Sequence, residues 1–180
     1  ARALVLCGAA SQASPAMLTV TSTAFKNGDA LPIEYTADGR NVSPPLAWSG
    51  APASTREFAL ILDDPDAPTP LPFVHWVIYK IPGTAKGLPE NVPIDPGIAM
   101  PAGLAGAVQG LNGFKRAMYR GPAPPAGKPH GYHFVVYALD AALDLRPYLT
   151  RAELLEAIKG HVIGQGELVP VYERKAPAKP

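Results

Sequence analysis

The placement of proline constrains this chain more than any other feature. Of its 180 residues, 22 are proline and 17 are glycine. Proline fixes φ and lacks an amide proton, so it is driven out of helix interiors and central strands. Three short apolar runs contain none: Phe58-Ala59-Leu60-Ile61-Leu62, which stops at Asp63-Asp64; Phe73-Val74-His75-Trp76-Val77-Ile78-Tyr79, closed by Pro82-Gly83; and His133-Phe134-Val135-Val136-Tyr137-Ala138-Leu139. The runs from Phe58 and Phe73 are apolar at both odd and even positions, the pattern of strands covered on both faces. The expected fold is mainly β, with long shaped loops between strands. Apolar residues make up 47% of the chain, enough for a real core.

The remaining segments fit that frame. Leu18 to Ala24 alternates apolar and hydroxylic residues and is expected to be the first strand. Asn27-Gly28-Asp29 is a turn, and Ile33 to Thr36 a short strand. From Gly83 to Gly113 there is little periodicity, which predicts long loops. Thr150 with Glu153 forms a capping box. It opens a helix with Leu154, Leu155, Ile158 and Val162 on one apolar face, and Gly160 and Gly164 as stops. Leu168 to Tyr172 is expected to be a last short strand.

No repeat or linker divides the chain, so one domain is expected over residues 17–175, followed by a flexible tail at 176–180. Residues 1–16 have the character of a leader or signal-peptide remnant. Arg2 precedes the apolar stretch Ala3 to Ala10, and Ser11-Gln12-Ala13 offers small residues where a signal peptidase reads. That pattern predicts a periplasmic or secreted protein. A cytoplasmic protein starting at Met17 is the alternative. The apolar stretch is too short to span a bilayer, so no stable membrane insertion is expected. With 16 Lys plus Arg against 15 Asp plus Glu, the chain has no field that would draw it onto nucleic acid. The single cysteine, Cys7, excludes an intrachain disulfide.

Two stretches carry candidate chemistry. In Asp64-Pro65-Asp66-Ala67-Pro68, proline forces Asp64 into extended backbone, where side chains two apart share a face. Asp64 and Asp66 can then point the same way at the end of a buried strand. The plainer alternative is a proline-braced turn whose aspartates cap backbone amides. The second stretch, Tyr119 to Tyr132, is stiffened by Pro122, Pro124, Pro125 and Pro129, and it delivers His130 to a strand start. Strand parity puts His130 and Tyr132 on one side and His133 on the other. His75 lies mid-strand and needs a polar partner there, either a backbone carbonyl, as for a core histidine, or Asp64 or Asp66 from the neighbouring strand. No nucleophile elbow, phosphate-binding loop, dinucleotide fingerprint or zinc-protease motif is present, so no cofactor and no metal are expected.

Taken in series, Asn41-Val42-Ser43-Pro44-Pro45-Leu46 with Trp48, Asp64-Pro65-Asp66-Ala67-Pro68, His75-Trp76-Val77-Ile78-Tyr79, Tyr119 with Gly121-Pro122 and Pro124-Pro125, and His130 with Tyr132 resemble the phosphatidylethanolamine-binding protein family, or Raf kinase inhibitor-like proteins, in its small bacterial form. The resemblance runs from about Leu18 to Arg174. It implies a large antiparallel sheet, a smaller second sheet and a C-terminal helical segment. It also implies a pocket for phosphate or a phosphorylated or otherwise anionic head group, formed here by Asp64, Asp66, His75, Gly121, Pro122, Pro124, His130 and Tyr132. Bacterial members often carry a cysteine where Ala123 stands. The expected function is binding of a small ligand, with no residue assigned a catalytic role. The alternatives are a hydrolase or metal-dependent enzyme built on the Asp and His residues, and an inhibitor of a kinase or protease. A homodimer is left open, and the sequence names no protein partner.

Overall fold

The computed structural model describes residues 14–175. The signal-like run from Arg2 to Ala13 and the tail at 176–180 lie outside the described residues. The strands are β1 (Ala16–Met17), β2 (Thr19–Thr21), β3 (Leu46–Ser49), β4 (Glu57–Asp64), β5 (Phe73–Pro82), β6 (Gly87–Leu88), β7 (Val108–Gln109), β8 (His130–Gly131), β9 (His133–Leu139), β10 (Val162–Leu168) and β11 (Val171–Tyr172). One α-helix, α1 (Arg151–Ile158), lies between β9 and β10.

Six strands form the main sheet in the order β1-β10-β9-β4-β5-β7. All neighbours in it are antiparallel except β1 and β10, which run parallel, so the sheet is mixed at one edge. A smaller sheet has the order β2-β3-β6, and β11 pairs with β8 in a separate two-stranded sheet.

The central strand β4 is buried along its whole length, because both faces of the main sheet are covered. Phe58, Leu60 and Leu62 face a core that includes Leu46 and Trp48 of the smaller sheet. Ala59 and Ile61 face the opposite way, with Val77 and Tyr79, onto Leu154 and Ile158 of α1. This is the two-sided covering that the apolar runs predict.

Three local expectations are corrected. Ile33–Tyr35 is a 3-10 turn, not a strand: Tyr35 N–H donates to Pro32 O, Thr36 N–H donates to Ile33 O, and the Thr36 hydroxyl also donates to Ile33 O at 2.8 Å. The first strand is shorter than Leu18 to Ala24, covering Thr19–Thr21. The helix does begin with the expected capping box, Thr150 N–H donating to Glu153 Oε2 at 2.8 Å, but it ends at Ile158. Gly160 turns the chain at φ +83°, and Val162 then opens β10 instead of continuing the helix. Gly164 is no helix stop. It lies in β10, where a Cβ would come within 2.5 Å of Leu18 Cδ1.

Candidate functional site

The C-terminal end of β4 separates two carboxylates by parity. Asp63 points to the helix side, where its Oδ2 accepts from Arg151 Nε at 2.9 Å. Asp64 keeps the parity of Leu60 and Leu62. Its Oδ1 accepts from the amide of Asp66 at 2.9 Å, and its Oδ2 accepts from His130 Nδ1 at 2.7 Å. Both side chains of the Asp64–His130 pair are only 4% exposed. Asp64 is thus both a turn cap and a member of a buried pair.

His75 reaches the same face by a backbone irregularity. Leu62 pairs with Trp76 and Asp63 with Val74, so His75 is the extra residue of a β-bulge. Parity alone would set His75 with Val77 and Tyr79 on the helix side. A bulge re-aims the side chain at its extra residue, and here His75 turns to the Trp76 side. The bulge also frees the His75 backbone from the ladder, and the His75 carbonyl accepts from the Arg120 amide at 3.1 Å. In return His75 Nδ1–H donates to the Arg120 carbonyl at 2.8 Å, which fixes the proton on Nδ1 in the neutral ring. Burial pulls the His75 pKa below the usual histidine value.

Tyr132 stands between the two imidazoles. Its ring meets His75 edge-on at 5.4 Å and lies nearly parallel to His130 at 6.4 Å. Its hydroxyl is buried and near the Asp64 carboxylate, but no group meets it in full hydrogen-bond geometry. Burial, then the nearby Asp64 charge, pushes the phenol pKa far upward, so the hydroxyl stays protonated.

These side chains surround a cavity of about 240 Å³. Asp64, His75, His130 and Tyr132 supply its polar lining, while Phe73, Phe114, Pro124 and Pro125 supply apolar walls. Ala123 also lines it, so no thiol stands at that position. With each Nδ1 bonded to protein, the imidazole nitrogens left for a ligand are the two Nε2 atoms.

Five of the eight expected residues therefore share the cavity: Asp64, His75, Pro124, His130 and Tyr132. Asp66, Gly121 and Pro122 fall outside its lining. Asp66 is exposed, and its Oδ2 accepts from the amide of Gly131 at 2.8 Å, the capping role that a proline-braced turn suggests. Gly121 packs where a Cβ would meet Tyr35 O at 2.5 Å, and its amide donates to Asn41 Oδ1 at 2.7 Å. The Pro122 carbonyl accepts from Ala37 N–H at 2.9 Å. These two residues anchor the proline-rich loop to the chain before β3. The loop's far end is tied to the chain after β11, where Gly127 N–H donates to Arg174 O; Tyr172 OH and Arg174 in turn donate to Asp38, in the chain before β3. Phe73 and Phe114 are lining residues that sequence reasoning missed. Neither carries a polar group to mark it.

A larger hollow, about 590 Å³, lies at the opposite end of β4 and β5 beside Arg56, Glu57 and Lys80. Glu57 there already accepts from the Leu143 amide, and among the described residues no buried side-chain polar atom in it lacks a partner. The smaller cavity has the orphaned hydroxyl and the buried, hydrogen-bonded Asp64–His130 pair. Among the described residues no group of three or more His, Cys, Asp or Glu is placed to hold a metal ion, and no helix is long and apolar enough to cross a membrane.

A mixed sheet covered on both faces, with a smaller sheet packed on one of them and a bulged histidine and a His–Asp pair at one end, defines a mainly β class of fold, and the chain belongs to the phosphatidylethanolamine-binding protein family, whose model matches residues 21–173. A UPF0098 protein of Methanothermobacter thermautotrophicus is 46% identical over 157 residues, covering 87% of this chain and 99% of the relative. Among solved structures, Escherichia coli YbcL, described as a member of the mammalian PEBP family, has a TM-score of 0.78 at 37% identity, covering 88% of this chain and 99% of that one. A putative PEBP homolog of Chlamydia trachomatis, CT736, has a TM-score of 0.76 at 34% identity, covering 91% of this chain and 100% of that one. Archaeal and bacterial proteins are thus both among its relatives.

Proposed function

We propose that the protein binds a small ligand through a phosphoryl or comparable anionic head group, held at His75, His130 and Tyr132. The observation that carries this is the Tyr132 hydroxyl. A buried hydroxyl without a partner costs roughly 1–3 kcal/mol, and the tyrosine that carries this one lines the cavity together with His75 and His130. A phosphoryl oxygen accepting from Tyr132 removes that cost and receives charge-assisted bonds from protonated imidazole. Both Asp64 oxygens already accept protein N–H groups, which offsets part of the carboxylate's charge. No Ser, Thr or Cys lines the cavity, which favours binding over nucleophilic turnover.

The test is calorimetric titration with inorganic phosphate and with phosphoethanolamine. His130→Ala removes a charge-assisted bond worth roughly 1.5–3 kcal/mol, and so weakens binding about tenfold to a hundredfold. Affinity unchanged in that variant sinks the proposal. Phosphoethanolamine, whose ammonium offsets the Asp64 carboxylate, is expected to show a flatter pH trend than phosphate.

A further inference from the structure

We infer that a groove beside the cavity is a second anion subsite, so that the ligand is a small soluble molecule carrying anionic groups at both ends. The inference rests on the head-group site proposed above. The groove, about 430 Å³, is lined by Asn112, Phe114, Arg116, Met118 and Arg120, with no carboxylate. Phe114 lines both spaces and forms their shared wall. Among the described residues the arginine ion pairs are those of Arg40, Arg146, Arg151 and Arg174, so the guanidiniums of Arg116 and Arg120 are uncompensated. Two such guanidiniums match the geometry of a phosphate or carboxylate through bidentate N–H donation.

The groove is built in advance. Asn112 is buried, and it closes the loop that presents Phe114 and Arg116. Its Oδ1 accepts from the amides of Phe114 and Arg116 at 2.9 and 3.1 Å, and its Nδ2 donates to Met118 O at 2.9 Å. Arg120 lies with its guanidinium 5.4 Å from the Phe114 ring centroid, restrained by cation–π attraction. Phe114 meets Phe73 edge-on at 5.1 Å, and Phe73 meets His75 at 5.2 Å. An apolar or flat spacer crossing these rings would link an anion at His75 to one at Arg120. The backbone bonds between His75 and Arg120 hold the two ends in register. A preformed arrangement of this kind loses little entropy on binding.

The experiment compares monoalkyl phosphates with α,ω-alkanediyl bisphosphates of three, six and nine carbons. Binding is measured by calorimetry at near-physiological salt, which screens unspecific attraction. At the best spacer length the bisphosphate is expected to bind about tenfold tighter than its monophosphate, the range of one good charged contact. Arg116→Gln with Arg120→Gln should abolish that advantage and leave monophosphate affinity within about twofold. His130→Ala should weaken both ligand types. If monophosphates bind and no bisphosphate gains at any length, or if the gain survives the double arginine variant, the second subsite is overturned and the head-group site stands. If neither ligand type binds, both are overturned.

Discussion

Arg120 and His75 hold each other through their backbones and one imidazole nitrogen. The Arg120 amide donates to the His75 carbonyl at 3.1 Å, and the Arg120 carbonyl accepts from His75 Nδ1–H at 2.8 Å. The β-bulge makes this pairing available, because the extra residue of a bulge leaves the strand ladder. The consequence is a histidine whose Nδ1 proton is fixed and whose Nε2 is offered to the cavity. Neutral Nε2 is an acceptor, so it can donate to a phosphoryl oxygen only after it takes up a proton.

That requirement predicts proton uptake on binding. Burial keeps His75 neutral near pH 7 in the free protein. A bound phosphate favours the imidazolium, so binding draws in a proton and affinity rises as pH falls. Calorimetry in two buffers of different ionisation enthalpy should show this uptake directly. His75→Asn keeps an N–H donor for the Arg120 carbonyl, so the fold should persist. The variant should bind phosphate about tenfold more weakly or worse and take up less proton. Identical apparent enthalpies in the two buffers for the parent protein would contradict the assignment.

Much of this site is legible in the sequence, and the rest is hidden for a specific reason. The parity of His130 and Tyr132 is a local feature, whereas their meeting with Asp64 at one cavity is what the family resemblance implies and no local rule gives. The bulge at His75 is not local: it depends on the register between β4 and β5, which no single run of residues encodes. Asp66 turns away because the amide of Gly131, 65 positions along the chain, claims its carboxylate. The role of Asn41 becomes visible only when Gly121 is packed against it. In the same way the apolar face of Leu154 and Ile158 marks α1, but Val162 joins β10, because Gly160 breaks the helix and β9 offers a pairing edge.

Gly121 tests the anchoring of the proline-rich loop separately from the cavity. An added Cβ would lie 2.5 Å from Tyr35 O and 2.7 Å from Thr36 C, both backbone atoms that cannot swing aside. Gly121→Ala is expected to destabilise the fold by roughly 1–3 kcal/mol, as overpacking does, and to loosen the loop that carries Pro124 to the cavity. Chemical denaturation gives the stability, and phosphate titration of the folded fraction gives the affinity. A variant as stable as the parent would show that the loop does not pack against residues 35 and 36.

Stability should also respond to pH through His75. Its folded pKa is lowered from the ordinary value of 6.5, and burial is the largest cause. Below pH 6.5 the unfolded chain therefore binds a proton that the folded chain refuses, so unfolding gains from acidification. The contribution is fully present above that pH and is lost progressively as pH drops toward the folded pKa. Tm should fall between pH 7 and pH 5, and His75→Asn should flatten that part of the profile. An equal slope in both proteins would show that His75 is not the group responsible.

Tyr132→Phe separates a ligand contact from a packing role, because the two predict opposite signs for stability. The phenol ring is fully buried, and its hydroxyl has no partner among the described residues. Removing a satisfied hydroxyl normally costs stability, whereas removing an unsatisfied one relieves a desolvation penalty of roughly 1–3 kcal/mol. Phenylalanine keeps the ring contacts with His75 and His130. The free variant should therefore melt at the same temperature as the parent or above it. If the hydroxyl exists to donate to a bound anion, the variant should also bind phosphate more weakly, by about fivefold or more for one lost hydrogen bond. Melting curves with and without phosphate read both effects in one series: a higher Tm without ligand and a smaller rise with it. A lower Tm together with unchanged phosphate stabilisation would show that the hydroxyl serves the fold, and the cavity would lose the observation on which its proposed function rests.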